Sequence, residues 1–239
     1  MSVLALALRS TLRGWRVIAV GVLPLLVAVV ALVLRFTASG EDRGPAYGTL
    51  VGRLLLPLVI ALVCLVLGVN AFGDERDEQT LGLLLTTTTP RWQLVLAKYA
   101  AAVGAVWVLC LPATLGCALL SAATSLPGAT ALWSLLVGSL LAAAAYTALF
   151  VLLSLIFRRA LIFGLAYLVL WERLLAGNTT SSRNLSIGSY ASRIGEAPYD
   201  GAAPFSTADV SLLAAIVVLA VVSAGFVAAA SWRLPRTHH

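Results

Sequence analysis

The residues able to do chemistry are few, and they fall in two places. The first is Asp74-Glu75-Arg76-Asp77-Glu78, followed closely by Thr80; the second is the pair Glu172-Arg173, set in an otherwise apolar run. Neither place has the partners that a catalytic or metal centre needs. The two histidines are the last residues, His238 and His239, native or the stub of a tag. That excludes a Cys/His zinc cluster and an H-E-x-x-H site. It also leaves no Ser/His pair for nucleophilic hydrolysis. The phosphate-binding pattern G-x-x-x-x-G-K-[ST] does not occur, so the chain does not hold ATP through a P-loop. Lys98, the sole lysine, stands at the entrance of an apolar run rather than inside one, which argues against a Schiff base. No catalytic, cofactor-binding or metal-binding residue is expected, and the chain itself is not expected to be an enzyme. What remains is electrostatic docking at the first place and an intramembrane carboxyl group at the second.

Asp74 suits an N-cap, and Glu75, Asp77 and Glu78 would sit in a first helical turn, where the helix dipole favours acids. Leu81, Leu84 and Leu85 then recur at helical spacing, and Pro90 ends or kinks the helix. Trp92, Lys98 and Tyr99 are residue types that anchor the mouth of a membrane span. The segment 74–90 is therefore expected as a short amphipathic helix on a membrane surface, presenting four acids to a basic groove on a partner.

The chain has 239 residues, of which 61% are hydrophobic and 11% charged, too little charge for the surface of a soluble domain. In lipid only helices and closed barrels satisfy their own backbones, and these apolar runs are too long for barrel strands. The fold class expected is an all-α integral membrane protein with six transmembrane helices. The spans fall at 17–36, 52–73, 93–120, 131–157, 160–176 and 209–232. The stretch 37–50, with Gly44-Pro45, reads as a polar loop. The segment 177–208, rich in Ser, Gly, Thr and Asn, lies outside, and Ile187, Tyr190, Ala191 and Ile194 mark a short surface helix within it. Residues 1–16 read as an interfacial helix, with Arg9, Arg13 and Arg16 on one side and Trp15 near the opposite one. The apolar run after it is longer than a signal-peptide core, which favours an uncleaved first span. Cys64, Cys110 and Cys117 all lie in apolar runs and are expected as small buried hydrophobes.

Orientation follows from the basic residues. With the N-terminus inside, the inner segments hold Arg9, Arg13, Arg16, Arg76, Arg91, Lys98, Arg158, Arg159, Arg233 and Arg236. The outer ones hold Arg35, Arg43, Arg53, Arg173, Arg183 and Arg193. Both termini and the 74–90 segment are therefore expected in the cytoplasm. Glu172 is expected either at the outer interface, with its span ending at Trp171, or facing protein or water inside the bundle. In the second case it lines a path or pairs with Arg53, Arg183 or Arg193.

Glu75-Arg76-Asp77-Glu78-Gln79-Thr80-Leu81, followed by Leu83-Leu84-Leu85 and Thr89-Pro90-Arg91, resembles the E-R-x-x-[GQ]-T-L…L-L…T-P pattern of ABC-2 type transporter permeases. In that family the pattern occupies the cytoplasmic loop between spans 2 and 3 and forms a coupling helix that docks into a separate ATPase subunit. The stretch Trp171 to Gly177 also resembles one subgroup, the permeases related to copper-enzyme maturation. The resemblance implies the membrane-spanning subunit of an ATP-driven exporter, working as a homodimer or beside a sister permease. Each copy would dock one cytoplasmic ATPase, which carries the ATP and Mg, through Glu75, Arg76, Glu78 and Thr80. It also implies a multi-pass protein of the plasma membrane, with a bacterial source expected and no nucleic-acid partner. The other readings open at this point are an ATPase-independent carrier or channel and a non-transporting assembly factor.

Overall fold

The computed structural model describes residues 15–38, 43–77, 91–121, 128–175, 186–197 and 210–233. Every element among these residues is helical. Helix α1 is Trp15–Thr37. Helix α2, Arg43–Gly48, runs directly into a π-helical segment, Thr49–Val59, and then into α3, Ile60–Asp77. Helix α4 is Arg91–Ser121 and α5 is Gly128–Ile156. Helix α6, Ala160–Ala166, continues into a second π-helical segment, Tyr167–Leu175. Helices α7, Ile187–Gly195, and α8, Leu212–Arg233, complete the described chain.

Among the described residues five helices are long and apolar enough to cross a membrane: Ala19–Thr37, Arg43–Phe72, Trp92–Ser121, Thr130–Ile156 and Leu212–Arg233. Where the sixth crossing was expected, at 160–176, stands the shorter apolar helix Ala160–Glu172, whose backbone continues helically to Leu175. Its apolar run is cut by Glu172.

Two boundaries differ from the sequence reading. The stretch expected as a polar loop is helical from Arg43 onward. Pro45 is tolerated there because the first turn of a helix has no backbone partner for its N–H. Tyr47, Leu50 and Val51 give this stretch a buried face. At the other end of the same span, α3 runs through Asp77, so Asp74 lies inside that helix and does not cap a new one. Glu75 and Arg76 lie on the same helical end. Glu78, Thr80 and the rest of 78–90 lie outside the described residues, as do Arg9 and Arg13. Trp15 and Arg16 belong to α1.

The centre of the bundle is built by α3, α4 and α5, whose inward faces carry Val63, Leu67, Val106, Ala113, Leu135 and Tyr146. The three cysteines are buried free thiols within this core. Helix α1 packs along α4 at the outside, and Arg35 donates to the Leu119 carbonyl at one end of that contact. The other faces of α1 and α8 show large apolar side chains outward, among them Leu25, Leu26, Leu213 and Val217, as lipid-facing surfaces should. A second, smaller cluster joins Phe72, Val95, Val151, Leu155 and Ala230, drawing α3, α4, α5 and α8 together near the end of α3 and the start of α4.

Helices α1 and α4 approach closely at Gly116. A Cβ there would stand 3.1 Å from the Ala28 Cα and 3.2 Å from the Ala28 carbonyl oxygen. Such small-residue crossings let membrane helices gain dispersion contacts that lipid cannot replace. Gly116→Leu should lower the thermal midpoint of the detergent-solubilised protein, because forced overpacking costs about 1–3 kcal/mol. Gly104, with open space around its Cβ position, is the control: Gly104→Leu should leave the midpoint nearly unchanged. Equal behaviour of the two variants would contradict the α1–α4 packing.

Candidate functional site around Glu172

The short helix α7 does not lie on a surface. Ile187, Gly188, Ser189, Tyr190, Ala191, Ser192, Ile194 and Gly195 are all buried, which corrects the expectation of a surface helix. Helix α7 packs against α5, the first π-helical segment and α8. The reason lies in its composition. Glycine, alanine and serine have side chains small enough for a helix to be enclosed on every side, and the Ser192 hydroxyl finds an internal partner. Ser192 Oγ donates to the Gly52 carbonyl at 3.2 Å. At the C-terminal end Tyr47 OH donates to the Gly195 carbonyl at 3.4 Å. Arg193, half-buried, donates to the Val210 carbonyl at 3.1 Å and approaches Glu196 at 3.7 Å. At this end of α7 the Gly195 carbonyl is thus met by a neighbouring element, and the Ser192 carbonyl by the Glu196 N–H, as a helix end inside a bundle requires.

The N-terminal end of α7 is met by a carboxyl group. Ser186 is the N-cap, with extended backbone (φ −92°, ψ 125°), and its Oγ accepts from the Ser189 N–H at 3.1 Å. The same hydroxyl donates to Glu172 Oε2. Glu172 comes from the second π-helical segment and is only 9% exposed. Its Oε1 accepts from Tyr146 OH at 3.0 Å, from Tyr167 OH at 3.4 Å and from the Gly188 N–H at 3.5 Å. The first turn of a helix offers unpaired N–H groups and the positive end of the dipole, so a carboxyl group is well placed there. Glycine at 188 makes the approach feasible. A Cβ would stand 2.6 Å from the Pro57 Cβ, 3.0 Å from Tyr146 OH and 3.1 Å from Glu172 Oε2.

Two aromatic contacts hold the phenols in place. Tyr146 stacks on Phe150 at 6.3 Å, and Phe150 meets Tyr167 edge-on at 6.5 Å. Pro57 explains part of the other wall. Proline breaks the usual helical ladder, and the first π-helical segment takes it up with wider turns, closing with the Ile60 N–H donating to the Leu55 carbonyl. Both π-helical segments therefore border α7, one through Pro57 and one through Glu172. Wide turns of this kind recur at functional sites.

The arginines expected to pair with Glu172 are not its hydrogen-bond partners among the described residues. Arg193 turns to Glu196 and Val210, Arg53 is exposed, and Arg183 lies outside the described residues. The side chain of Arg173 also lies outside them. Sequence reasoning missed Tyr146, Tyr167, Ser186 and Gly188. Ser186 carried a readable signal, a serine just before a helically spaced apolar run. Tyr146, 26 residues before Glu172, carried none.

A family model described as an ABC-2 family transporter protein matches residues 12–170. The chain belongs to this family. The match runs from the start of the first span into the second π-helical segment, so it includes the 74–90 segment on which the sequence resemblance rested. No curated protein matches the chain. In this ABC-2 permease Tyr146 and Tyr167 lie within the matched part, whereas Glu172, Ser186 and Gly188, with α7 and α8, lie beyond it. An ABC-2 permease is a membrane subunit rather than an ATPase, in keeping with the sequence reading.

Removing the carboxyl group should loosen α7 in particular. Glu172→Ala strands the Tyr146 and Ser186 hydroxyls and the Gly188 N–H, and each buried group left unpaired costs about 1–3 kcal/mol. Hydrogen exchange of amides 187–195 should then speed up by at least about tenfold, since ~1.4 kcal/mol is a factor of ten. Tyr146→Phe should give a smaller rise. Unchanged exchange over 187–195 in Glu172→Ala would contradict the clamp.

Proposed function

We propose that this chain is the permease subunit of an ATP-driven ABC exporter, pairing with a second copy or a sister permease around the path. A separate ATPase in the cytoplasm would dock on the acid-rich segment through Glu75, Arg76, Glu78 and Thr80. The observation that carries this reading is family membership joined to the setting of that segment. It connects α3 and α4, and these two helices meet at Phe72 and Val95 in a cluster that also takes in α5 and α8. A push on the segment would reach four helices at once. The acids supply charge complementarity, which sets register and association rate more than affinity. At the opposite end of the bundle, α7 would close the path in the resting state, with the Glu172 cluster as its fastening.

A P-loop ATPase recovered in stoichiometric amounts with the tagged permease is the expected result of purification, and its absence would favour a carrier, a channel or an assembly factor. The finer assignment is tested by reversing two acids. Exposed single pairs contribute only about 0–1 kcal/mol each, so Glu75→Lys with Glu78→Lys should leave much of the complex intact. ATP hydrolysis stimulated by the permease in lipid should nonetheless fall several-fold. Wild-type stimulation, or crosslinks from position 75 that reach only lipid or the outer face, would contradict the coupling assignment.

A further inference from the structure

Lys98 joins α3 to α4 close to both ends of the 78–90 segment. It sits about two turns into α4, while Ala71 and Phe72 lie about one and a half turns before the end of α3. Its Nζ donates to the Ala71 carbonyl at 2.7 Å and stands 4.7 Å from the centroid of the Phe72 ring. Phe72 is itself buried, at the head of the small cluster with Val95, Val151, Leu155 and Ala230. Lys98 is half-buried on the same helix as Val95. An ammonium group has three donors and no acceptor, and among apolar helices it needs a carbonyl or an aromatic face. Here one neighbouring helix supplies both.

Apolar packing alone is non-directional and lets two helices slide. A charged hydrogen bond to one particular carbonyl does not, because a slip of one residue moves the acceptor by ~1.5 Å along the axis. We propose that Lys98 is a positioning residue that locks the inner ends of α3 and α4 into one body. Displacement of the segment between them is then delivered to the bundle and not absorbed between the two helices. This rests on the reading of the chain as an ATPase-coupled permease.

The test uses the full complex with its ATPase, reconstituted in lipid nanodiscs. Cys64, Cys110 and Cys117 are changed to alanine, and nitroxide labels are placed at Asn70→Cys on α3 and Trp92→Cys on α4. With Lys98, and with Lys98→Arg, the interlabel distance should remain one narrow population when ATP and vanadate trap the ATPase. Lys98→Met should broaden it and lower permease-stimulated ATP hydrolysis by about tenfold, the scale set by one charged hydrogen bond. Phe72→Leu, which removes the ring face and keeps the bulk, should broaden it to a lesser degree and serves as well if Lys98→Met does not accumulate. A Lys98→Met or Phe72→Leu complex with the wild-type distance and wild-type hydrolysis would overturn the lock while leaving the permease reading in place. A wild-type complex that retains no ATPase would overturn that reading, and the role of Lys98 with it.

Discussion

A polar group among membrane helices must be satisfied by protein, and Glu172 draws its donors from the N-terminal end of α7 and from two tyrosines. That contact orders one half of the bundle. A buried polar group left without partners costs about 1–3 kcal/mol, and here Tyr146, Tyr167, Ser186 and the Gly188 N–H all donate to the one carboxyl group. The same contact solves a second problem. Helix α7 is short and enclosed, and its first N–H groups could not be left unpaired. One carboxyl group and one enclosed helix end satisfy each other.

Much of the rest follows from making room for this pair. Gly188 admits the carboxyl group, and Pro57 closes on the glycine from the first π-helical segment. Tyr146 reaches across from α5, held by its stack on Phe150. At the other end of the bundle the polar economy is similar, with the Lys98 ammonium group spent on a carbonyl and a ring of α3. The two ends are bridged by α5, whose Tyr146 belongs to the Glu172 cluster and whose Val151 and Leu155 belong to the cluster beside Lys98.

The helices themselves were legible because continuous apolar runs in lipid leave few alternatives. The spans expected at 17–36, 93–120, 131–157 and 209–232 lie close to the helices Ala19–Thr37, Trp92–Ser121, Thr130–Ile156 and Leu212–Arg233. The start of the second span was not legible, because Gly44-Pro45 carries turn chemistry that a first helical turn also accepts. The existence of α7 was legible from Ile187, Tyr190, Ala191 and Ile194. Its burial was not, because Gly188, Ser189 and Ser192 look like a solvated face until Glu172 and the Gly52 carbonyl are set beside them. Glu172 was recognisable as an unusual residue by its place in an apolar run. Its partners were not, since they come from separate elements with no fixed spacing to it.

The central claim is that α7 is held inside the bundle at rest. The most direct measurement is labelling of Ala191→Cys by a membrane-impermeant maleimide in intact membranes, with the exposed position Ser211→Cys for comparison. The native thiols are buried and should contribute little background. The account predicts that position 211 reacts readily and position 191 stays protected, and that adding Glu172→Ala exposes position 191. Labelling of position 191 in the Glu172 background at the rate of position 211 would contradict it.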